Sequence, residues 1–332
     1  MNYELKYMQR CILLARCGEA SASPNPMVGA VVVCNGHIIG EGFHRRCGGP
    51  HAEVNAIRSV REKHLLSCST IYVSLEPCSH FGKTPPCTDL IIQSGIPRVV
   101  VGCTDPFAKV NGLGIKKLRE AGCEVAVGVL EQECLELNSR FFTFHQKHRP
   151  WITLKWAQSK DGFIDRLRKA GEKPIHFSNV LTQTLVHRLR ARHQAILVGT
   201  TTALMDNPTL TTRYWQGSSP LRLTIDRHNS LPNNLHLTDG STPTIVFTQE
   251  SIDEILDDLY ERGIQSLLVE GGAKLLQNFI DMGLWDEAHI ETVPFCLKQG
   301  VAAPLLTNER LQSQYCYSGQ IIRIYRHKSL KT

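Results

Sequence analysis

The chain lacks a long apolar run. None of its stretches approaches the ~18 residues a membrane span requires, and the longest, such as Val28 to Cys34, are strand-sized. A secretory pattern is also missing, since Glu4 comes early and no small-residue cleavage pattern follows an apolar core. Both absences predict a soluble, cytoplasmic chain with no membrane partner. No block of one charge stands out either. The net charge of +6 divides into +2 over residues 1–146 and +4 over 147–332. Nucleic-acid binders gather Lys and Arg on one face or in a run. The nearest approach here, Arg188-Leu-Arg-Ala-Arg192, reads as a solvated helix face, so no nucleic-acid partner is expected. Cysteine is scarce late in the chain, with ten of the 12 between Cys11 and Cys134. Scattered disulfides do not suit a reducing compartment, which leaves most of these thiols as ordinary buried residues and a subset to be searched for ligand spacing.

What is present is a globular composition, 42% hydrophobic and 20% charged over 332 residues, long enough for two domains. A helix is predicted from Tyr3 to Ala20, a strand from Val28 to Cys34, a turn at Asn35-Gly36 and a partner strand from His37 to Gly42. Helices over 51–63, 87–94 and 115–121 alternate with strands over 70–75, 98–102 and 124–127, which predicts a sheet with helices on both faces. A second module starts near Pro150, with strands over 151–157, 195–198, 221–225, 244–247 and 266–269 and helices over 181–192, 251–262 and 274–282. The polar-aromatic stretch from Asn138 to Pro150, without a Gly/Ser tract, reads as the connection. It sets domains of 1–146 and 147–332 that are expected to touch.

His51-Ala-Glu53 follows Gly48-Gly49-Pro50, Pro77-Cys78 comes 27 residues after His51, and Cys87 follows Pro85-Pro86. One imidazole and two thiolates leave a tetrahedral zinc one open position, which is the catalytic arrangement. His51 and Cys87 both open predicted helices, whose N-termini help keep a thiol ionised. Glu53 would lie nearly opposite His51 on a regular helix, but in a looser first turn it can reach the reacting water and serve as its proton carrier. A lone His-x-Glu is common and two cysteines can close a structural site; the ordered combination is far more specific.

That combination resembles the zinc nucleoside and nucleobase deaminases, whose second and third ligands sit in Pro-Cys-x-x-Cys. Here eight residues separate Cys78 from Cys87. This long loop, with Pro24-Asn-Pro-Met-Val-Gly29 and Gly42-Phe-His44, resembles the deaminase half of the bifunctional riboflavin biosynthesis deaminase/reductase family over residues 5–145. The resemblance implies a cytidine-deaminase-like α/β/α sandwich with a mixed sheet, one zinc ion per chain, and a phosphorylated pyrimidinone ribosylamine whose ring amine is hydrolysed. It implies catalysis by Glu53, metal ligation by His51, Cys78 and Cys87, and substrate contacts from Asn25, His44, His80 and Lys83. The side chains suit that cargo: Lys83 offers a point charge to phosphate and Asn25 an amide to a heterocycle edge.

In the second module Ser266-Leu-Leu-Val-Glu270 runs into Gly271-Gly272-Ala273 and a helix. Such a turn offers N–H groups to an anion, although Gly-Gly between strand and helix is more often structural, and the Gly-x-Gly-x-x-Gly fingerprint is absent. Leu154-Lys-Trp-Ala-Gln-Ser-Lys-Asp-Gly162 and the run from Ala195 to Arg213 resemble the reductase half of the same family over 150–325. That resemblance implies a dihydrofolate-reductase-like α/β domain taking NADPH. By matched position Ala157, Ile175, Thr202, Asp206, Gly272, Ala273 and Lys274 touch cofactor, and Arg227 is placed for its 2′-phosphate. Arg190, Leu210, Arg213 and Glu270 touch substrate, with Lys155, Asp206 and Glu270 nearest the reacting ribose. The segment Lys173-Pro-Ile-His-Phe-Ser178 departs from the family pattern, with Ile175 where a Trp is usual. A homo-oligomer is expected. Two rivals compete: a transfer-RNA deaminase with a C-terminal RNA-binding module, which the even charge split disfavours, and a zinc-stabilised scaffold, which requires a fourth protein ligand.

Overall fold

The computed structural model describes residues 3–19, 21–79, 85–105, 112–169 and 172–328. They fall into two compact units, residues 1–148 and 149–331.

In the first unit, α1 (Tyr3–Arg16) precedes the hairpin β1 (Gly29–Cys34) and β2 (His37–Phe43), turned by Asn35 and Gly36, both at positive φ. Then come α2 (Ala52–Ser59), β3 (Ser69–Leu75), α3 (Cys87–Gln93), β4 (Arg98–Cys103), α4 (Leu113–Glu120), β5 (Glu124–Val127), α5 (Glu131–Leu137) and α6 (Ser139–Lys147). The five strands form one mixed sheet in the order β2-β1-β3-β4-β5, antiparallel from β2 to β3 and parallel from β3 to β5. Strand alternation sends Val32, Ile71, Val73 and Val99 to one face, against Ala56, Ile57, Ile91 and Leu118. Val31, Val33, Tyr72 and Val100 go to the other, against Met8, Cys11, Cys134 and Phe142. The expected three-layer sandwich is therefore present. One expectation is corrected: the stretch after Asn138 is not a bare connection but the helix α6, whose Phe142 and Phe144 are buried.

The second unit holds β6 (Trp151–Gln158), β7 (Phe163–Asp165), α7 (Val180–Ala191), β8 (Ala195–Val198), α8 (Thr200–Asp206), β9 (Leu221–Ile225), β10 (Thr244–Phe247), α9 (Ile252–Glu261), β11 (Ser266–Val269) and α10 (Ala273–Asp281). Beyond them lie β12 (Glu287–Thr292), β13 (Val301–Ala302), β14 (Glu309–Tyr317) and β15 (Gln320–His327). Eight strands form one sheet in the order β10-β9-β8-β11-β6-β12-β15-β14, parallel from β10 to β12 and closed by an antiparallel hairpin. Ile152, Leu154 and Trp156 face α9 and α10 in the main core, while Thr153 faces the opposite layer, where its hydroxyl meets His193 at 3.0 Å. Such a sheet exposes the carboxyl ends of its parallel strands as the natural ligand edge.

Candidate active sites

His51 stands just before α2 as its N-cap, with extended backbone (φ −70°, ψ 167°). Leaving the helix there swings the imidazole toward the inward face of α2, the face that buries Glu53, Ala56 and Ile57. This resolves the opposition expected of two residues on one regular helix. Cys78 follows β3, and Cys87 is the first residue of α3. The Cys78 and Cys87 sulfurs lie 3.5 and 3.3 Å from His51 Nδ1, and the three donor atoms all fall within 4.8 Å of one another. Around tetrahedral zinc, with Zn–S near 2.3 Å and Zn–N near 2.0 Å, a sulfur–nitrogen edge is roughly 3.6 Å. The set fits that ion.

The electrostatics are those of a cation site. The neighbouring Cys87 thiol, then His51, lower the Cys78 thiol below its ordinary range against the effect of burial. The Cys78 sulfur in turn lifts His51 to about 9. The Cys87 backbone N–H also donates to the Cys78 sulfur at 3.3 Å. Glu53 is 3% exposed and meets the Cys87 sulfur. Burial pushes its carboxyl up to about 7, the range in which a proton carrier is effective at neutral pH.

Asn25 and His44 are brought together beside these ligands. Asn25 Nδ2 is 3.0 Å from His44 Nε2, His44 Nδ1 is 3.2 Å from the Pro50 carbonyl, and the His44 ring stands edge-on to His51 at 5.4 Å. Burial, first, holds His44 below its ordinary pKa. The neutral ring thus donates from Nδ1 to Pro50 and accepts from Asn25. His80 and Lys83 lie outside the described residues.

Sequence reading missed two supports. Asn138 donates to the Met27 carbonyl at 2.9 Å and accepts from its N–H at 2.8 Å, fixing the loop that carries Asn25. Glu76, 4% exposed and two residues before Cys78, accepts N–H groups from Asp105, Gly112, Gly114 and Ile115 at 2.9 to 3.3 Å. A carboxylate ending the apolar run Ile71 to Leu75 was the available signal.

In the second unit the expected cofactor residues sit at or just beyond the carboxyl ends of parallel strands: Ala157 on β6, Thr202 after β8, Arg227 after β9 and Gly272 to Lys274 after β11. Gly272 has φ +75° and precedes α10 with no side-chain cap, which leaves the first N–H groups of that helix on offer. A Cβ on Gly271 would stand 3.0 Å from Thr202 Cγ2, so α8 packs tightly on this turn. Arg227 is exposed.

Arg190 grips Glu270 with two bonds, 3.0 and 2.6 Å, and donates to the Thr211 carbonyl at 3.2 Å. Burial acts to raise the Glu270 carboxyl, but Arg190 and then Lys155 outweigh it and keep the group below its ordinary range. Lys155 and Glu270 are thus neighbours. Asp206 is exposed at the end of α8 and pairs with Arg168. Leu210 is buried with Ile196, Val198 and Leu268, at φ +54°. The Arg213 N–H donates to His187 Nδ1 at 2.9 Å, and its guanidinium to Thr211 Oγ1 at 2.9 Å. The altered 173–178 segment is well anchored: the Ile175 N–H reaches Asp165 at 3.4 Å, Phe177 stacks on Phe295, and Ser178 donates to Glu291 at 2.7 Å.

Residues 1–103 match the family described as the cytidine and deoxycytidylate deaminase zinc-binding region, and residues 150–324 match the RibD C-terminal domain. Together with the donor geometry, these matches define the class, a zinc-binding deaminase joined to a reductase. The chain is 39% identical to the riboflavin biosynthesis protein RibD of Aquifex aeolicus over 319 residues, covering 89% of this chain and 88% of that protein. It is likewise 39% identical to RibD of Bacillus amyloliquefaciens over 334 residues, covering 92% and 89%. A diaminohydroxyphosphoribosylaminopyrimidine deaminase/5-amino-6-(5-phosphoribosylamino)uracil reductase of Thermotoga maritima superposes with a TM-score of 0.88 at 37% identity, covering 98% and 99% of the two chains. The chain belongs to the RibD family, the bifunctional deaminase/reductases of riboflavin biosynthesis.

Proposed function

We propose that this chain deaminates 2,5-diamino-6-ribosylamino-4(3H)-pyrimidinone 5′-phosphate and then reduces the ribosyl group of the product to ribityl with NADPH, in the cytoplasm. The convergence of His51, Cys78 and Cys87 on one point, with Glu53 buried against Cys87, carries the reading. Zinc, when bound by those three donors, supplies the Lewis acidity that makes water a nucleophile at neutral pH. Glu53 takes a proton from the attacking water and passes it to the ring nitrogen, then carries the remaining hydroxyl proton to the ring amine, which leaves as ammonia while the carbon becomes a carbonyl. Asn25, held by His44, presents its amide to the heterocycle edge.

In the second site Lys155 and Glu270 flank the ribose and favour its open-chain imine, the form to which a nicotinamide cofactor, when bound, would supply hydride. Residues around the Gly271-Gly272 turn position the cofactor, and the cofactor carries the chemistry. NADPH over NADH is read from Arg227, whose guanidinium suits a 2′-phosphate.

The test is Glu53→Gln in the full chain. The variant is expected to retain zinc and release ammonia ~10²–10⁴-fold more slowly, while reduction of pre-deaminated substrate continues at the wild-type rate. Ammonia release at an unchanged rate removes Glu53 from its role.

A further inference from the structure

Outside the metal site a second pair of thiols is in contact. The Cys34 and Cys68 sulfurs lie 3.4 Å apart. Cys34 ends β1 and pairs with Ser69, the first residue of β3. Strand alternation turns it to the same face as Ala30 and Val32, the face that packs against α2. A 3-10 helix over Lys63–Cys68 brings Leu66 into that layer and ends with Cys68 against Cys34. The helix end is tied down, since the Ser69 hydroxyl donates to the Leu65 carbonyl at 2.6 Å and the Cys68 thiol to the same oxygen at 3.2 Å. Cys34 is 4% exposed, whereas Cys68 is open to solvent.

A disulfide needs its sulfurs about 2.05 Å apart, so this pair has ~1.4 Å to close. One thiol open to solvent beside a second that is buried is the arrangement in which an oxidised sulfur is resolved as a disulfide. The chain between them, residues 35–67, holds β2, α2 and both His51 and Glu53. A bond from Cys34 to Cys68 closes that chain at its base. The pair is remote from the metal donors. Strand β3 runs from Ser69 to Leu75 toward Cys78, which separates the two by roughly 20 Å.

We propose that Cys34 and Cys68 are a peroxide-sensitive pair, whose reversible disulfide braces the segment that carries His51 and Glu53. In a reducing compartment the resting form is the dithiol. A hydroperoxide gives one oxygen to the Cys68 thiolate, which becomes a sulfenic acid as the O–O bond breaks and the other oxygen leaves as water or an alcohol. The Cys34 sulfur then attacks that sulfur. The S–S bond forms, the S–O bond breaks, and the hydroxyl leaves as water with the Cys34 proton, so two electrons have passed from the sulfurs to the peroxide. Contact with Cys34 raises the Cys68 thiol above its ordinary pKa, so the first step is slow at neutral pH and quickens ~10-fold from pH 7 to pH 8.

The test treats the zinc-loaded full chain with hydrogen peroxide, alkylates the remaining thiols in denaturant and maps the peptides by mass. The expected product is a cross-linked pair of peptides holding Cys34 and Cys68, two hydrogens lighter than the reduced pair and restored by dithiothreitol. Cys34→Ser and Cys68→Ser should lack it. The oxidised chain should unfold ~5–15 °C higher in its deaminase unit, the effect of a disulfide closing a loop of this length. It should also give up zinc to a chelator more slowly, with ammonia release within about twofold of the reduced chain. Alkylated Cys34 and Cys68 after peroxide treatment, or a bond that takes in Cys78 or Cys87 in their place, overturns the proposal. So does a bond from Cys34 to Cys68 that leaves the thermal midpoint and zinc release unchanged. The mapping is made on the wild type, so it decides even where a serine variant does not fold.

Discussion

His187 shows how one buried ring ties the expected substrate arginines together. It is 2% exposed, its Nδ1 accepts the Arg213 N–H, and burial, reinforced by Arg190 and Arg213, pushes its pKa from 6.5 down to about 4. The unfolded chain takes up this proton below pH 6.5 and the folded chain does not until about 4. Stability is therefore lost as pH falls through that window. The urea midpoint of the reductase unit should drop between pH 7 and pH 5, and the drop should shrink in His187→Gln; an equal drop in both would remove the neutral ring as its source. His187 was not singled out from sequence, because a lone His carries no spacing signal. The metal ligands were legible, because proline before Cys78 and Cys87 and glycine before Pro50 mark a shaped loop. Asp206 and Leu210 were placed by resemblance alone; the first pairs with Arg168 and the second packs in the core.

The hairpin and α2 approach each other backbone to backbone. A Cβ on Gly42 would stand 2.4 Å from the Ala56 nitrogen and 2.6 Å from the Ala52 carbonyl oxygen, and one on Gly40 2.5 Å from the Ala56 carbonyl oxygen, so β2 and α2 approach this closely because residues 40 and 42 have no side chains. Gly42→Ala must push α2, and His51 with it, away from Cys78 and Cys87. Overpacking of this kind costs about 1–3 kcal/mol. The variant should lose zinc, measured by metal content after dialysis, with reduction intact. Full zinc retention would show that α2 shifts without carrying His51. Most elements up to Met282 were readable, since apolar runs of four to seven residues between turn signals mark parallel strands. The antiparallel hairpin of β14 and β15 was not, because its strands are half-exposed and mix Gln, Ser and Arg with Tyr and Ile. Helix ends shifted by one or two residues, except that α1 stops at Arg16 and the region read as a helix to 63 ends at Ser59.

Across the whole chain the two chemistries draw on separate residues. The zinc donors lie within residues 1–148, and Lys155, Arg190 and Glu270 within 149–331. Chelation should therefore abolish ammonia release and leave NADPH-dependent reduction of pre-deaminated substrate untouched, with zinc restoring the first activity. Loss of both on chelation would mean that the metal also supports the reductase.

The Glu76 clamp adds a constraint of timing. A nascent chain that has emerged as far as Cys87 already contains every metal donor, yet the N–H groups that hold Glu76, and through it the base of the cysteine loop, arrive only with Asp105 to Ile115. During translation the sulfurs precede their frame, so a firm grip on the ion waits until the start of α4 has cleared the ribosomal exit.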